Sequence, residues 1–141
     1  MMYESPSSRP NAIDDVTASY HRCRASDDFI GTFYKKFLSK SPEVADKFLH
    51  TDFTRQKLML RESLLSMLTY NLGSEDARQE LERLAERHSH RGIDIPPRLY
   101  DYWLDALCEA IEAHDPEYSP ELADSWRAAM QAGIDLIVSK Y

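Results

Sequence analysis

Apolar residues with a helical period dominate this sequence. From Ile30 onward they follow the i, i+3, i+4, i+7 and i+8 pattern of one helix face, and similar stripes recur along most of the chain. Only four glycines occur, and the β-branched residues are scattered rather than alternating, which disfavours strands. The chain is therefore predicted to be all-α.

Capping residues and prolines divide the chain into about seven helices. The first is expected from about Ile13 to Arg24, after which Ser26-Asp27-Asp28 supplies the cap of the second. Two segments, Ser41-Pro42-Glu43 and Ser119-Pro120-Glu121, combine a capping serine with a proline suited to the first helical position. Other boundaries are expected at Asp52 or Thr54, at Asn71-Leu72-Gly73-Ser74, at Gly92 and at Pro96-Pro97.

Length and charge limit the organisation and the partners. With 141 residues, 43% of them hydrophobic, we expect a flexible tail at residues 1–11 and one domain at residues 12–141. A net charge of -7 would repel nucleic acid and anionic membranes, so neither is expected as a partner. No apolar run is long enough to span a bilayer, and a cytoplasmic location is expected. Cys23 and Cys108 have no metal-motif spacing and are expected to be core residues or free thiols.

The helix expected after Asp52 is apolar on two faces. One face carries Gln56, Leu60, Ser63, Leu64 and Met67, and another carries Leu58, Leu65 and Leu68. We therefore expect this helix to lie between packing partners instead of on the surface.

Tyr34, Gln56 and His88 each occupy the apolar face of a different predicted helix. Burying a phenol, an amide and an imidazole without partners would cost roughly 1–3 kcal/mol each, so these groups are expected to share a ligand. Each also has an ordinary explanation taken alone. His88 could be a core histidine bonded to a carbonyl, Tyr34 a core tyrosine, and Gln56 a partner of free amides at a helix start.

Several segments resemble a known family. Leu84–His88 is similar to the proximal segment of myoglobins, and His88–Ile93 resembles the His-x-x-x-Gly-apolar pattern of bacterial flavohaemoglobin globin domains. Phe33–Leu38, followed by Ser41–Glu43 and Phe48, resembles the distal tyrosine, the Pro-Glu turn and the haem-stacking phenylalanine of those domains.

The spacing of further residues is similar as well. Gln56 lies 32 positions before His88, as the distal glutamine does in those domains, and Leu60 follows one turn later. Tyr100 lies two residues later than the tyrosine that helps to polarise their proximal histidine, and the last turn, residues 137–141, has no acid. This departure implies a less electron-donating imidazole.

The resemblance implies a single-domain bacterial globin, with about seven helices around a pocket for haem b (iron protoporphyrin IX). His88 would be the proximal iron ligand, and Tyr34 and Gln56 would stabilise a bound gas. The pocket would include Phe48, Leu60, Leu84 and Tyr100, with Leu58 as the competing inward position to Gln56. A basic rim for the haem propionates would come from Arg55, Arg87, His90 or Arg91.

The implied function is reversible binding of O2, NO and CO by a monomer or homodimer. O2 transport and NO dioxygenation with a separate reductase both follow from the resemblance. Two alternatives remain open at this stage. One is a haem-based gas sensor or store, and the other is a globin-like helical interaction module that binds no haem.

Overall fold

A computed structural model describes the backbone of residues 9–141 and the side chains of residues 12–141. This part of the chain contains no strand and seven α-helices: α1 (Arg9–Ala25), α2 (Phe29–Leu38), α3 (Pro42–Lys47), α4 (Phe53–Asn71), α5 (Glu75–His88), α6 (Leu99–His114) and α7 (Pro120–Ser139). The predicted all-α class and number of helices are confirmed. Within the described chain, no helix is both long and apolar enough to cross a membrane.

Four helices begin at caps that the sequence predicts. In each case a side-chain oxygen accepts a hydrogen bond from a backbone N–H two or three residues later, at 3.0 to 3.2 Å, and satisfies a donor that the helix leaves free. These caps are Ser41, Asp52, Ser74 and Ser119. Asp52, rather than Thr54, is therefore the N-cap of α4.

Other predicted boundaries shift. α1 begins at Arg9 rather than near Ile13, because Pro10 is compatible with a first helical turn. Residues 1–8 of the predicted tail lie outside the described residues, and residues 9–11 belong to α1. The predicted cap of α2 is wrong: Asp28 has left-handed backbone (φ 61°), its side chain makes no capping bond, and it faces Lys57 at 3.9 Å instead.

The segment after α5 folds back tightly on the helix end. α5 ends at His88, four residues before Gly92, because Ser89 is already extended (ψ 175°). Ile93 N–H donates to the carbonyl of Arg87 at 2.8 Å, and Ile95 N–H donates to that of His88 at 3.0 Å. A Cβ atom on Gly92 would lie 2.1 Å from the Arg87 carbonyl oxygen, so this turn requires glycine.

The helices enclose one hydrophobic core. α2 packs on α6, while α4 packs on both α5 and α7. Fully buried residues from five of the helices form its centre: Val16, Phe33, Leu64, Leu107 and Trp126. Cys23 and Cys108 are free and buried, as expected of core thiols.

A buried polar cluster ties α1 to the end of α6 and to α7. The Asp115 carboxylate is fully buried and accepts bonds from the Arg22 guanidinium at 2.7 and 3.0 Å and from the Ser19 hydroxyl at 2.5 Å. Trp126 Nε1 donates to Ser19 Oγ at 2.9 Å, and Glu117 N–H donates to Asp115 at 2.9 Å. Every polar side chain of this cluster has a protein partner.

α4 is only partly enclosed. The apolar residues of its predicted inner face, Leu60, Leu64 and Met67, are buried, and so is Leu68. The prediction that the second face is also covered is wrong for Leu58 and Leu65, whose side chains are each 54% exposed. Leu72, directly after the helix, is 68% exposed. These leucines take no part in the core.

Candidate functional site

A cavity of about 400 Å³ lies among α2 to α7. This is the size of a pocket that holds a small organic ligand or cofactor. The structure brings all seven residues predicted for the site to its walls: Tyr34, Phe48, Gln56, Leu60, Leu84, His88 and Tyr100. These seven residues come from four different helices and the α3–α4 loop, and they meet around one space.

His88 is the last residue of α5 and is oriented by its own helix. Its Nδ1 lies 2.9 Å from the carbonyl oxygen of Leu84, one turn earlier. Because a carbonyl can only accept, Nδ1 carries the proton and Nε2 keeps its lone pair. No protein hydrogen bond to Nε2 occurs among the described residues. This is the state in which an imidazole can bind a metal ion.

The surroundings keep the His88 ring neutral. Burial lowers the pKa of His88, the Leu84 carbonyl opposes this effect, and the nearby Arg87 charge adds to it. His90, in contrast, is exposed, and its ring lies tilted against that of Tyr141, with centroids 3.8 Å apart. Of these two histidines, only His88 lines the cavity, as the stripe on α5 predicts.

Tyr34 and Gln56 form a hydrogen-bonded polar pair in the wall of the cavity. The Gln56 amide donates to the Tyr34 hydroxyl, with Nε2 and Oη 3.0 Å apart. The hydroxyl donates in turn to the Gln56 backbone carbonyl, but over a long 3.4 Å. A typical O–H···O bond measures about 2.7–2.8 Å, so this second bond is weak. The pair is therefore held together through the phenol oxygen, while the phenol proton is only loosely engaged.

Aromatic rings hold Tyr34 in place. Phe48 and Phe53 contact its ring edge to face, at centroid distances of 5.8 and 5.5 Å. Burial raises the pKa of Tyr34 to about 12, and the bond from Gln56 only partly offsets this effect. The hydroxyl thus stays protonated at neutral pH and is a hydrogen-bond donor.

The orientation of α4 decides between two candidate faces. Leu60 is 6% exposed and lines the cavity together with Gln56, whereas Leu58 is largely exposed. The alternative in which Leu58 faces the site is therefore excluded. Met59 and Ser63 also reach the cavity from α4.

Tyr100 leaves its hydroxyl without a partner. Within the described part of the chain, its Oη is the one buried side-chain N or O atom that makes no hydrogen bond. Burial raises the pKa of Tyr100 far above its ordinary value, so the group is a protonated donor. An unpaired buried hydroxyl costs about 1–3 kcal/mol, and a polar molecule in the cavity could supply its partner.

These features fit a haem group. A neutral imidazole with a free Nε2 suits an iron ion, and apolar walls formed by Leu84, Phe48 and Leu60 suit a porphyrin. The unpaired hydroxyl of Tyr100 and the loosely bonded one of Tyr34 both suit a cavity that holds a polar ligand.

Several lining residues were not predicted. Lys47 lines the cavity as a cation, and its Nζ donates to the carbonyl of Asp94 at 2.8 Å. Of the basic rim expected from the sequence, only Arg87 lines the cavity. The apolar stripes of the long helices supply the other unpredicted residues, which include Met67, Trp103, Ile134 and Ile137. Their periodicity marked them as buried, but not as cavity residues.

Comparison with known proteins agrees with this geometry. Residues 31–136 match the Globin family. The crystal structure of protein PA3967 from Pseudomonas aeruginosa PAO1, a protein structurally highly homologous to a human hemoglobin, is similar to this chain with a TM-score of 0.88. Sequence identity is 43%, over 92% of this chain and 98% of the other. No curated protein matches the chain in sequence. The chain therefore belongs to the globin family.

Proposed function

We propose that this globin binds haem b through His88 and uses Tyr34 and Gln56 to stabilise O2 in preference to CO. One observation carries the proposal. The cavity joins a neutral imidazole with a free Nε2 to a phenol and amide pair whose donor capacity the protein does not fully use. A purely structural cavity would have no need of polar groups with spare hydrogen-bonding capacity.

His88 would hold the iron from the protein side. Its bond to the Leu84 carbonyl fixes the tautomer and the ring orientation, and the turn around Gly92 fixes the backbone. When bound, haem supplies a site for a diatomic gas and one-electron redox chemistry. A carbonyl acceptor leaves the imidazole less electron-rich than a carboxylate would, which favours gas binding over peroxidase-like chemistry.

Tyr34 would be the principal donor to the gas. Its proton can leave the long bond to the Gln56 carbonyl with little loss, whereas the bond from the Gln56 amide keeps the phenol oxygen in place. Gln56 has a second amide hydrogen to offer. Both donors favour a ligand with partial negative charge, which describes bound O2 better than bound CO.

Cations and apolar residues would complete the site. Lys47 and Arg87 are suited to the haem propionates, while Phe48 and Leu60 exclude water from the gas. With NO as a second substrate, nitrate forms from NO, O2 and one electron. A separate reductase would supply that electron for each turnover, so we propose O2 binding as the basic activity and NO dioxygenation as the reaction it supports.

Optical spectra of the purified protein, expressed with a haem supply, test the proposal. We expect a sharp Soret band in the oxidised, reduced and CO-bound states, with one haem per chain. NO consumption is then measured with a flavin reductase and a nicotinamide cofactor. Sustained consumption supports dioxygenation, while O2 binding without turnover indicates a store or sensor. A chain that takes up no haem would overturn the proposal.

A further inference from the structure

Phe53 contacts the proposed gas donor without reaching the cavity. It is the first residue of α4, and its ring meets that of Tyr34 edge to face, with centroids 5.5 Å apart. Tyr34 and Phe48 line the cavity, but Phe53 does not. Any effect of Phe53 on a ligand in the cavity is therefore exerted through a neighbouring side chain.

The first turn of α4 holds Tyr34 at two points. Phe53 contacts the phenol ring, and Gln56, three residues later, donates to the phenol oxygen at 3.0 Å. Residues three apart lie on the same side of a helix, so both contacts approach α2 together. One contact places the ring and the other places the oxygen. The direction of the O–H bond depends on both.

Phe48 completes the aromatic support of Tyr34. Its ring stacks on that of Phe53, with centroids 5.9 Å apart and an angle of 28° between the planes. It also meets the Tyr34 ring edge to face at 5.8 Å, so each of the three rings contacts the other two. Removing the Phe53 ring would leave the phenol with a direction in which it can tilt.

We propose that Phe53 is a positioning residue that sets the preference of this globin for O2 over CO, although it touches neither gas. The inference rests on the proposed binding of gases between His88 and Tyr34. A hydrogen bond weakens steeply as its length and angle depart from the optimum, so a donor held in place stabilises a partly charged ligand better than a mobile one. Bound CO carries less negative charge than bound O2 and gains little from the same donor.

The long bond of the Tyr34 hydroxyl explains why the ring needs this support. The Gln56 backbone carbonyl lies 3.4 Å from the phenol oxygen and competes with the gas for the phenol proton. A ring that is free to tilt can shorten this bond to the usual length of about 2.7–2.8 Å and so engage the proton. A ring held by Phe53 keeps the competing bond long, and the proton remains available to the gas.

Stopped-flow dissociation rates of O2 and CO from Phe53→Leu test the proposal. O2 release should accelerate about three- to fivefold, less than in Tyr34→Phe, because the donor is displaced rather than deleted. CO release should barely change. The C–O stretching frequency of the CO complex should rise, as in Tyr34→Phe but by less, because a nearby positive dipole lowers this frequency. Phe53→Met, which also keeps an apolar side chain but removes the ring, should give the same result.

A double-mutant cycle shows whether the effect passes through Tyr34. In a Tyr34→Phe background, Phe53→Leu should no longer accelerate O2 release, since the donor that Phe53 positions is absent. Phe29→Leu is the matched control: Phe29 begins α2, is 2% exposed, and its ring meets that of His114 instead of Tyr34. Its loss should lower the free energy of unfolding but leave both gas rates unchanged.

Unchanged O2 release in Phe53→Leu, or an equal acceleration for O2 and CO, would overturn the proposal, because both results describe a residue that only packs. An undiminished effect in the Tyr34→Phe background would overturn it as well. The Soret absorbance per chain separates this inference from the proposed function. A wild-type protein that takes up no haem contradicts both, whereas a haem-bound protein whose gas rates are insensitive to Phe53 contradicts this inference alone.

Discussion

Two groups of buried polar residues in this globin differ in how completely their hydrogen bonds are satisfied. In the cluster of Ser19, Arg22, Asp115 and Trp126, every side chain has a protein partner at hydrogen-bonding distance. In the cavity, the Tyr100 hydroxyl has none, and the Tyr34 hydroxyl has only a long bond to a carbonyl. The side chains of the first group bond to one another, whereas the second group contains hydroxyl donors that have no protein partner or only a weak one.

The difference separates a structural role from a functional one. Polar groups that hold a fold together are stabilised by complete bonding, because each unsatisfied group would subtract from stability. Groups that await a ligand must keep donors or lone pairs available when the ligand is absent. Substitutions in the cavity should therefore change ligand binding, and those in the cluster should change the free energy of unfolding.

His88→Ala should have the largest effect on ligand binding. It removes the proposed protein ligand of the iron, so haem should be lost during purification or be retained only when imidazole is added. The Soret absorbance per chain measures this directly. His90→Ala is the matched control and should keep a normal spectrum. Haem loss from His90→Ala with retention in His88→Ala would reverse the assignment.

Asp115→Ala should have the largest effect on stability. Removing one partner of a buried ion pair typically costs about 3–5 kcal/mol, and since the Arg22 side chain is 27% exposed we expect about 3 kcal/mol. Urea unfolding at neutral pH measures this loss. Gas dissociation rates should remain unchanged, and a marked change in them would contradict the separation of the two groups.

The loss of stability caused by Asp115→Ala should depend on pH. Burial opposes ionisation of Asp115, but the bonds from Arg22 and Ser19 outweigh it and lower the pKa of the carboxyl. Stability from this group is complete above the unfolded-state pKa of about 3.9 and is lost as pH falls through the lower folded-state pKa. The stability difference between the wild-type protein and Asp115→Ala should therefore shrink below about pH 4, where urea titrations can follow it.

Tyr34→Phe should have an intermediate effect. Loss of a hydrogen bond to a partly charged ligand costs about 1.5–3 kcal/mol, so O2 dissociation should accelerate by about tenfold or more. CO dissociation should change far less. Stopped-flow rates for both gases provide the comparison, and an equal acceleration for both would indicate a steric cause rather than a lost donor.

Gln56→Leu tests whether the amide acts mainly through Tyr34. It should accelerate O2 release less than Tyr34→Phe, because the amide mainly holds the phenol oxygen through the 3.0 Å bond. The two changes should not be additive, since each disturbs the same pair. Strict additivity in the double variant would show that the residues act independently.

Tyr100→Phe should have the smallest effect, and in the opposite direction. It removes an unpaired buried hydroxyl, so the haem-free protein should become about 1 kcal/mol more stable. Urea unfolding of the haem-free protein measures the change. Tyr20→Phe is a useful control, because the Tyr20 hydroxyl donates to the Arg61 carbonyl at 3.3 Å and its loss should not stabilise the chain.

Much of this structure follows from local patterns in the sequence. Helical periodicity, together with caps such as Ser41 and Ser119, indicated the all-α class and most boundaries, because both signals act within a few residues. The resemblance to flavohaemoglobin domains then identified residues that do line one cavity. Their chemical roles remain predictions.

The features that were missed depend on distant parts of the chain. Lys47 is an ordinary surface lysine in the sequence, and only the packing of α3 brings it to the cavity. The cluster joins Ser19 to Asp115, 96 positions apart, which no local pattern could indicate. The exposure of Leu58 and Leu65 was not predicted because an apolar period in the sequence does not reveal whether another helix packs on that face.

α4 contributes to two different surfaces of the protein. Gln56 and Leu60 face the cavity, while Leu58 and Leu65 face outward from the same helix. A molecule that binds the outer face and displaces the helix would also move the Gln56 amide, which holds the Tyr34 hydroxyl at 3.0 Å. Thermodynamic linkage makes such an effect reciprocal, so binding at the outer face and affinity for the gas would change by the same factor.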